Sequence, residues 1–234
     1  MQTLVAAFKY LTLWGLTATQ PTPEMIGKSA VYFPLVGLIL GLLLGFTNYL
    51  LAPHVDPEII NVVVIALLIF ATGAQHLHGL KNAFDALGSN AAEDSRRTNE
   101  ALGVAAIVLV ILGKSAAANS MGEVLTLSLL LMPVLARWAL IIFLYGYDSR
   151  FDEIPRLIAQ QVNFWPLLAS TAAILALTIY LLGRKGLWIA LLVSLFTLFF
   201  RGLLHRRHGV LSHADVRASV ELTETLSLIL LASL

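Results

Sequence analysis

The chain of 234 residues has no cysteine. Disulfides, thiolate metal sites and cysteine nucleophiles are therefore excluded. Charge is scarce as well. Asp, Glu, Lys and Arg make up 12% of the residues, about half of what a soluble domain carries. The net charge is only +1 and no long basic run occurs, which argues against a nucleic-acid partner. The first residues are apolar with a single Lys9. Neither a basic leader nor an A-x-A site follows, so no cleaved signal peptide is expected.

What the chain does have is apolar surface. Hydrophobic residues make up 58% and the mean hydropathy is +0.83. One soluble core of this size cannot bury so much, and the excess has to meet lipid. Predominantly apolar runs of roughly spanning length lie at 31–51, 59–74, 102–118, 124–146, 164–182, 187–200 and 218–234. Each is expected to be a helix, because backbone groups in lipid must be satisfied within the segment. Leu4, Phe8, Leu11 and Trp14 fall on one helical face ahead of the first run. They suggest a short interfacial helix, with an eighth span as the alternative. The expectation is an all-α, polytopic helical bundle of about seven spans, one integral-membrane domain over 1–234.

Seven spans put Lys9, Lys28, Lys81, Arg96, Arg97, Arg150, Arg156, Arg201, Arg206, Arg207 and Arg217 on one side. Only Arg184 and Lys185 lie on the other. The positive-inside rule then makes the first side cytoplasmic, with the N-terminus and the polar loops.

Candidate chemistry clusters on that side. His76, His78, Asn82 and Asp85 follow the second run. At i, i+4 and i+7, His78, Asn82 and Asp85 share a helical face. Such a set suits a divalent ion or a phosphate, and equally a solvated helix end. Asp94, Arg96 and Arg97 precede the third run; they read as an anion site or as a helix N-cap. His205, Arg206, Arg207, His208 and His213 precede the last run. They suit a phosphate clamp or a basic anchor on anionic lipid. Lys114, Arg137, Glu221 and Glu224 lie in or near apolar runs. Charge at that depth needs a partner or a polar cavity, and Arg137 sits deepest.

These residues also carry a resemblance. Phe33-Pro34-Leu35-Val36-Gly37-Leu38-Ile39-Leu40-Gly41 resembles the F-P-L-V-G-L-x-x-G of the cobalamin (5′-phosphate) synthases. Thr72-Gly73-Ala74-Gln75-His76-Leu77-His78-Gly79-Leu80 resembles that family's T-G-G-x-H-L-D-G-L. Asp94-Ser95-Arg96, Lys114, Ala136-Arg137 and Ala218-Ser219-Val220-Glu221-Leu222-Thr223-Glu224 resemble further blocks, in family order. The resemblance implies an integral inner-membrane transferase acting on a corrinoid nucleotide, adenosylcobinamide-GDP, and α-ribazole or its 5′-phosphate. GMP is released and Mg²⁺ is used. It implies catalytic roles for His76, His78, Asp85 and Asp94. The metal would fall to Asp85, Asn82, His78 and Asp94. Substrate would be held by Arg96, Lys114, Arg137, Arg206, Arg207, Glu221 and Glu224.

The departures fall on acidic residues. The family's three aspartates in H-L-D-G-L-A-D-x-x-D correspond to His78, Asn82 and Asp85. In its G-G-x-T-G-D-x-x-G-A, the aspartate falls on Ala214, the third glycine on His213 and the fourth on Arg217. Fewer carboxylates predict a weakened Mg²⁺ site, Mn²⁺ in its place, or no metal. Three further readings stay open: a paralogue acting on another phosphorylated substrate, a non-catalytic membrane protein binding a corrinoid or a partner, and a transporter. The last lacks a clear inverted repeat. A homo-oligomer is equally open.

Overall fold

A computed structural model describes residues 2–14, 20–88, 100–147 and 150–233. Eleven α-helices run in order among them: α1 (Gln2–Leu11), α2 (Pro23–Lys28), α3 (Phe33–Leu51), α4 (Pro57–Thr72), α5 (Gln75–Gly88), α6 (Glu100–Asn119), α7 (Leu125–Leu144), α8 (Glu153–Ala159), α9 (Phe164–Leu182), α10 (Arg184–His208) and α11 (His213–Ser233). The described residues hold no β-strand, only one isolated parallel bridge between Phe151 and Leu211. The chain is thus an all-α helical bundle, as its apolar runs require.

Among the described residues, five helical stretches are long and apolar enough to cross a membrane, at 30–51, 101–119, 122–144, 164–182 and 184–208. A sixth exists if α4 and α5, bent by 85° at residues 73–74, count as one span. Five of the seven runs read from sequence coincide with these stretches. The run 59–74 forms one arm of the bent pair. The run 218–234 lies largely on α11, whose length suffices but which buries Asp215, Glu221 and Glu224.

Helix α7 is the axis of the bundle. It is buried almost throughout, and Arg137 is fully enclosed. Its tightest neighbour is α3, through a glycine stripe. A Cβ on Gly37 would lie 2.5 Å from the Pro133 carbonyl oxygen, and one on Gly41 would overlap the Leu130 carbonyl. Small residues at i and i+4 let two backbones approach this closely in lipid, where burial of apolar surface drives nothing. At the far end of α3, Asn48 Nδ2 donates to Thr126 Oγ1 at 2.8 Å. Asn61 and Asn119 join α4 to α6 there.

The near end gathers the short helices. Leu13 N donates to Ala71 O, and α2 packs on α8. Asp152 N donates to Leu211 O, and Leu211 N to Arg150 O, tying the α7–α8 connection to the α10–α11 turn. Arg201 caps α7. Its Nη1 donates to the carbonyls of Ile142, Phe143 and Tyr145 at 3.0–3.1 Å, and the guanidinium lies 4.3 Å from the Tyr147 ring centre. In α1, Ala6, Ala7 and Leu11 are buried while Trp14 stays exposed. The helix expected on the membrane surface is thus packed onto the protein with its small residues inward.

Candidate active site

The bend after α4 sets up the site. Gly73 closes α4 in a left-handed conformation (φ 65°), and Ala74 follows with φ 53°. Two such residues in series turn the chain so that α5 crosses toward α6 and α11. Gly79 allows that approach, since a Cβ there would overlap the Cβ of Arg217 on α11.

α5 splits its polar residues between two faces. His78 and Asn82 are exposed, with Asn82 Nδ2 3.1 Å from His78 Nε2. Asp85 is buried. Its Oδ2 accepts from Lys81 Nζ at 2.7 Å and its Oδ1 from the Gly103 amide of α6 at 2.8 Å. Asp85 therefore joins α5 to α6. His76 points inward, 4% exposed, and neither ring nitrogen has a partner.

Deep in the bundle four charges meet. Lys114 Nζ of α6 lies 2.5 Å from Glu221 Oε1 and 2.7 Å from Glu224 Oε2. Arg137 of α7 pairs with Glu224 Oε1. Two cations answer two carboxylates, so the group is neutral as a whole. Its position is about 12–17 Å along α11 from that helix's start, at 1.5 Å per residue. Pairing is what makes charge tolerable at such depth. Two donors of Arg137, Nε and Nη2, remain without acceptors.

The α10–α11 turn supplies the outer wall. Ser212 caps α11. Asp215 Oδ2 accepts from the Ser212 amide and hydroxyl at 2.7 and 2.9 Å, a capping box that uses up this carboxylate oxygen. Asp215 Oδ1 lies 3.0 Å from His208 Nδ1. His213 stacks on Tyr10 of α1, with ring centres 5.8 Å apart. Burial, reinforced by the charge of Arg217, pushes the His213 imidazole down to about 4, so it is neutral at neutral pH. Burial pushes the Tyr10 hydroxyl up to about 12, so it stays protonated.

Of the residues singled out from sequence, the structure brings together His76, Lys114, Arg137, Glu221 and Glu224. His76 lies within electrostatic reach of Arg137, Glu224, Arg217 and Lys114. Arg206 and Arg207 are exposed on the last turn of α10, apart from that group. Asp94 and Arg96 lie outside the described residues. His78, Asn82 and Asp85 do not converge as metal ligands, because α6 covers Asp85 and leaves the other two outside. Among the described residues no three His, Asp or Glu side chains stand close enough to hold a metal ion. Both Asp85 oxygens are engaged, by Lys81 and by the Gly103 amide, whereas Mg²⁺ wants several free hard oxygens, and Asp94 of the expected set lies outside the described residues. Tyr10 and Arg217 complete the inner surface and were not singled out as site residues. Tyr10 gives no sequence signal; Arg217 gives one, as a cation where the family pattern has glycine.

Comparison with known proteins agrees with the motifs. The family described as Cobalamin-5-phosphate synthase matches residues 3–232. The adenosylcobinamide-GDP ribazoletransferase of Geotalea daltonii is 30% identical over 220 residues, 90% of this chain and 88% of its own. That of Desulfitobacterium hafniense is 31% identical, covering 98% of this chain and 96% of its own. That of Pseudomonas entomophila is 32% identical, covering 91% and 90%. No solved structure matches. With its motif residues distributed along all of this matched length, the chain belongs to the cobalamin-5-phosphate synthase family.

Proposed function

We infer that the chain is a membrane ribazoletransferase. It joins adenosylcobinamide-GDP to α-ribazole or its 5′-phosphate. A ribazole hydroxyl attacks the phosphorus on the cobinamide side, the bond to the bridging oxygen breaks, and GMP leaves with that oxygen. The observation that carries this reading is the family match over residues 3–232, within which Lys114, Arg137, Glu221 and Glu224 meet at one place.

Transfer of this kind asks little covalent chemistry of a protein. It asks that two substrates be held in line and that phosphate charge be neutralised. The paired charges hold α6, α7 and α11 in register behind the site. The exposed Arg206 and Arg207 and the surface of α5 offer contacts to anionic substrate. No step is assigned to a metal. In this reading the end bearing α5 and the α10–α11 turn faces the cytoplasm from the inner membrane. The distribution of Lys and Arg supports that orientation. Large exposed side chains such as Phe70, Leu109 and Phe199 are the surface that meets lipid.

One observation favours a second reading. The engaged Asp85 suits a family member that binds a corrinoid without turning it over. The test is direct. Protein purified in detergent receives adenosylcobinamide-GDP and α-ribazole 5′-phosphate with Mg²⁺ or Mn²⁺. Release of GMP is expected; none with either ion would leave the non-catalytic reading standing.

A further inference from the structure

Among the described residues, the cations inside the bundle are answered, with one exception. Lys114 and Arg137 meet glutamates, Lys81 meets Asp85, and Arg201 meets three carbonyls. Arg217 is partly buried in the second turn of α11. Among the described residues no carboxylate pairs with it. Of the acids on α11, Glu224 pairs with Lys114 and Arg137, and Asp215 caps the helix through Oδ2 with its Oδ1 3.0 Å from His208 Nδ1.

The groups around Arg217 have unused hydrogen-bonding capacity. Its backbone is fixed against Gly79, where an added Cβ would sit 3.3 Å from the Arg217 Cα. His76, within reach of its charge, has two unpartnered ring nitrogens. His213 Nε2 is buried and unpartnered. Arg217, Tyr10 and His76 line one small, partly open void of about 10 Å³, with Leu11, Leu140 and Val220 as its apolar wall. Such a void holds about one water, hence one oxygen atom.

A guanidinium with no carboxylate partner among the described residues, beside a phenol and two imidazoles and partly out of water, calls for an anion rich in oxygen. A carboxylate presents two coplanar oxygens to a guanidinium and suits a one-oxygen void poorly. A tetrahedral phosphate can place one oxygen in the void and leave the others at the open side. We propose that Arg217, with Tyr10, His76 and His213, forms a phosphate-binding site that takes one phosphoryl oxygen into this void. The site is particular to this chain, because the family pattern has glycine at position 217. Its identification with a substrate phosphate rests on the ribazoletransferase reading. The same chemistry is presented by a phospholipid headgroup.

The test is binding rather than turnover, so a chain without transferase activity can still pass and an active chain can still fail. Wild type and Arg217→Gly, in detergent, are titrated with GMP and with inorganic phosphate. The readouts are dissociation constant and melting temperature. Arg217→Gly is expected to weaken GMP and phosphate binding by about tenfold or more, the scale of one lost charge-assisted contact. Its ligand-free melting temperature and elution profile should stay close to wild type. Arg217→Lys should fall between, since an ammonium keeps the charge without the fork. If Arg217→Gly does not fold, Arg217→Lys and His213→Gln carry the comparison. Nanodiscs of phosphatidylglycerol against phosphatidylcholine separate the two sources. An Arg217-dependent stabilisation by phosphatidylglycerol, with no response to GMP or phosphate, assigns the site to a headgroup. Equal binding of GMP, phosphate and anionic lipid by wild type and variant overturns the proposal.

Discussion

Two polar groups lie about one to two turns apart on α11, and they are built on opposite terms. The deeper one, Lys114, Arg137, Glu221 and Glu224, is charge-balanced, with only Arg137 Nε and Nη2 left without acceptors. The shallower one, Arg217 with His76, His213 and Tyr10, leaves a positive charge and several nitrogens unanswered. In the deeper group every charge meets one of opposite sign. In the shallower group no carboxylate among the described residues pairs with Arg217. The difference separates scaffold from receptor without reference to any ligand.

The largest effect should come from the scaffold. Glu224 answers both Lys114 and Arg137, so Glu224→Gln strands a buried guanidinium. A loss of about 3–5 kcal/mol is expected, read as a fall in melting temperature or loss of monodisperse protein in detergent. Glu221→Gln should cost less, because Lys114 keeps Glu224. Equal losses would show that the two glutamates are not ranked by their partners, and the scaffold reading would fail.

A smaller effect concerns the receptor. The His213 imidazole is held near 4 in the folded chain, below its ordinary value near 6.5. Between those values the unfolded chain binds the extra proton, so stability rises with pH there. The penalty is absent above about 6.5 and grows as pH falls toward 4. Melting curves at pH 7 and pH 5 should show it, and His213→Asn should shrink the difference. An unchanged pH response in that variant would place the titration elsewhere.

The smallest effect lies between the groups, at the bend that aims His76. Ala74 pays for a left-handed backbone that glycine adopts freely. Ala74→Gly should raise stability by about 1 kcal/mol. A drop instead would mean that the gain in unfolded-chain freedom outweighs the relieved strain.

The helical bundle was readable because unbroken apolar runs in lipid allow little else. The four buried charges were readable one by one, as charges where none is cheap. Their pairing was not, since Arg137 and Glu224 stand 87 residues apart and Lys114 and Glu224 stand 110. The α5 site was read from a periodicity that places His78, Asn82 and Asp85 on one face. Periodicity carries no information about what covers that face, and α6 takes Asp85 through the Gly103 amide. The family aspartate falls on Ala214, and Asp215 stands one residue on. Its spacing from Ser212 already spells a capping box, which the structure shows to be its use. Tyr10 reaches the site only because α1 packs on α2 and α3 and its ring stacks on His213, which no local pattern encodes.

The long sequence separation within the buried ion group also has a consequence for biogenesis. Lys114 leaves the ribosome 107 residues before Glu221, which is about 5–20 s at ordinary rates of synthesis. During that interval α6 is in or beside the insertion machinery with its ammonium unanswered. It is expected to stay loosely seated, its lysine reaching toward water, until α11 arrives with both carboxylates. α11 would then be the helix that commits α6 to its final depth.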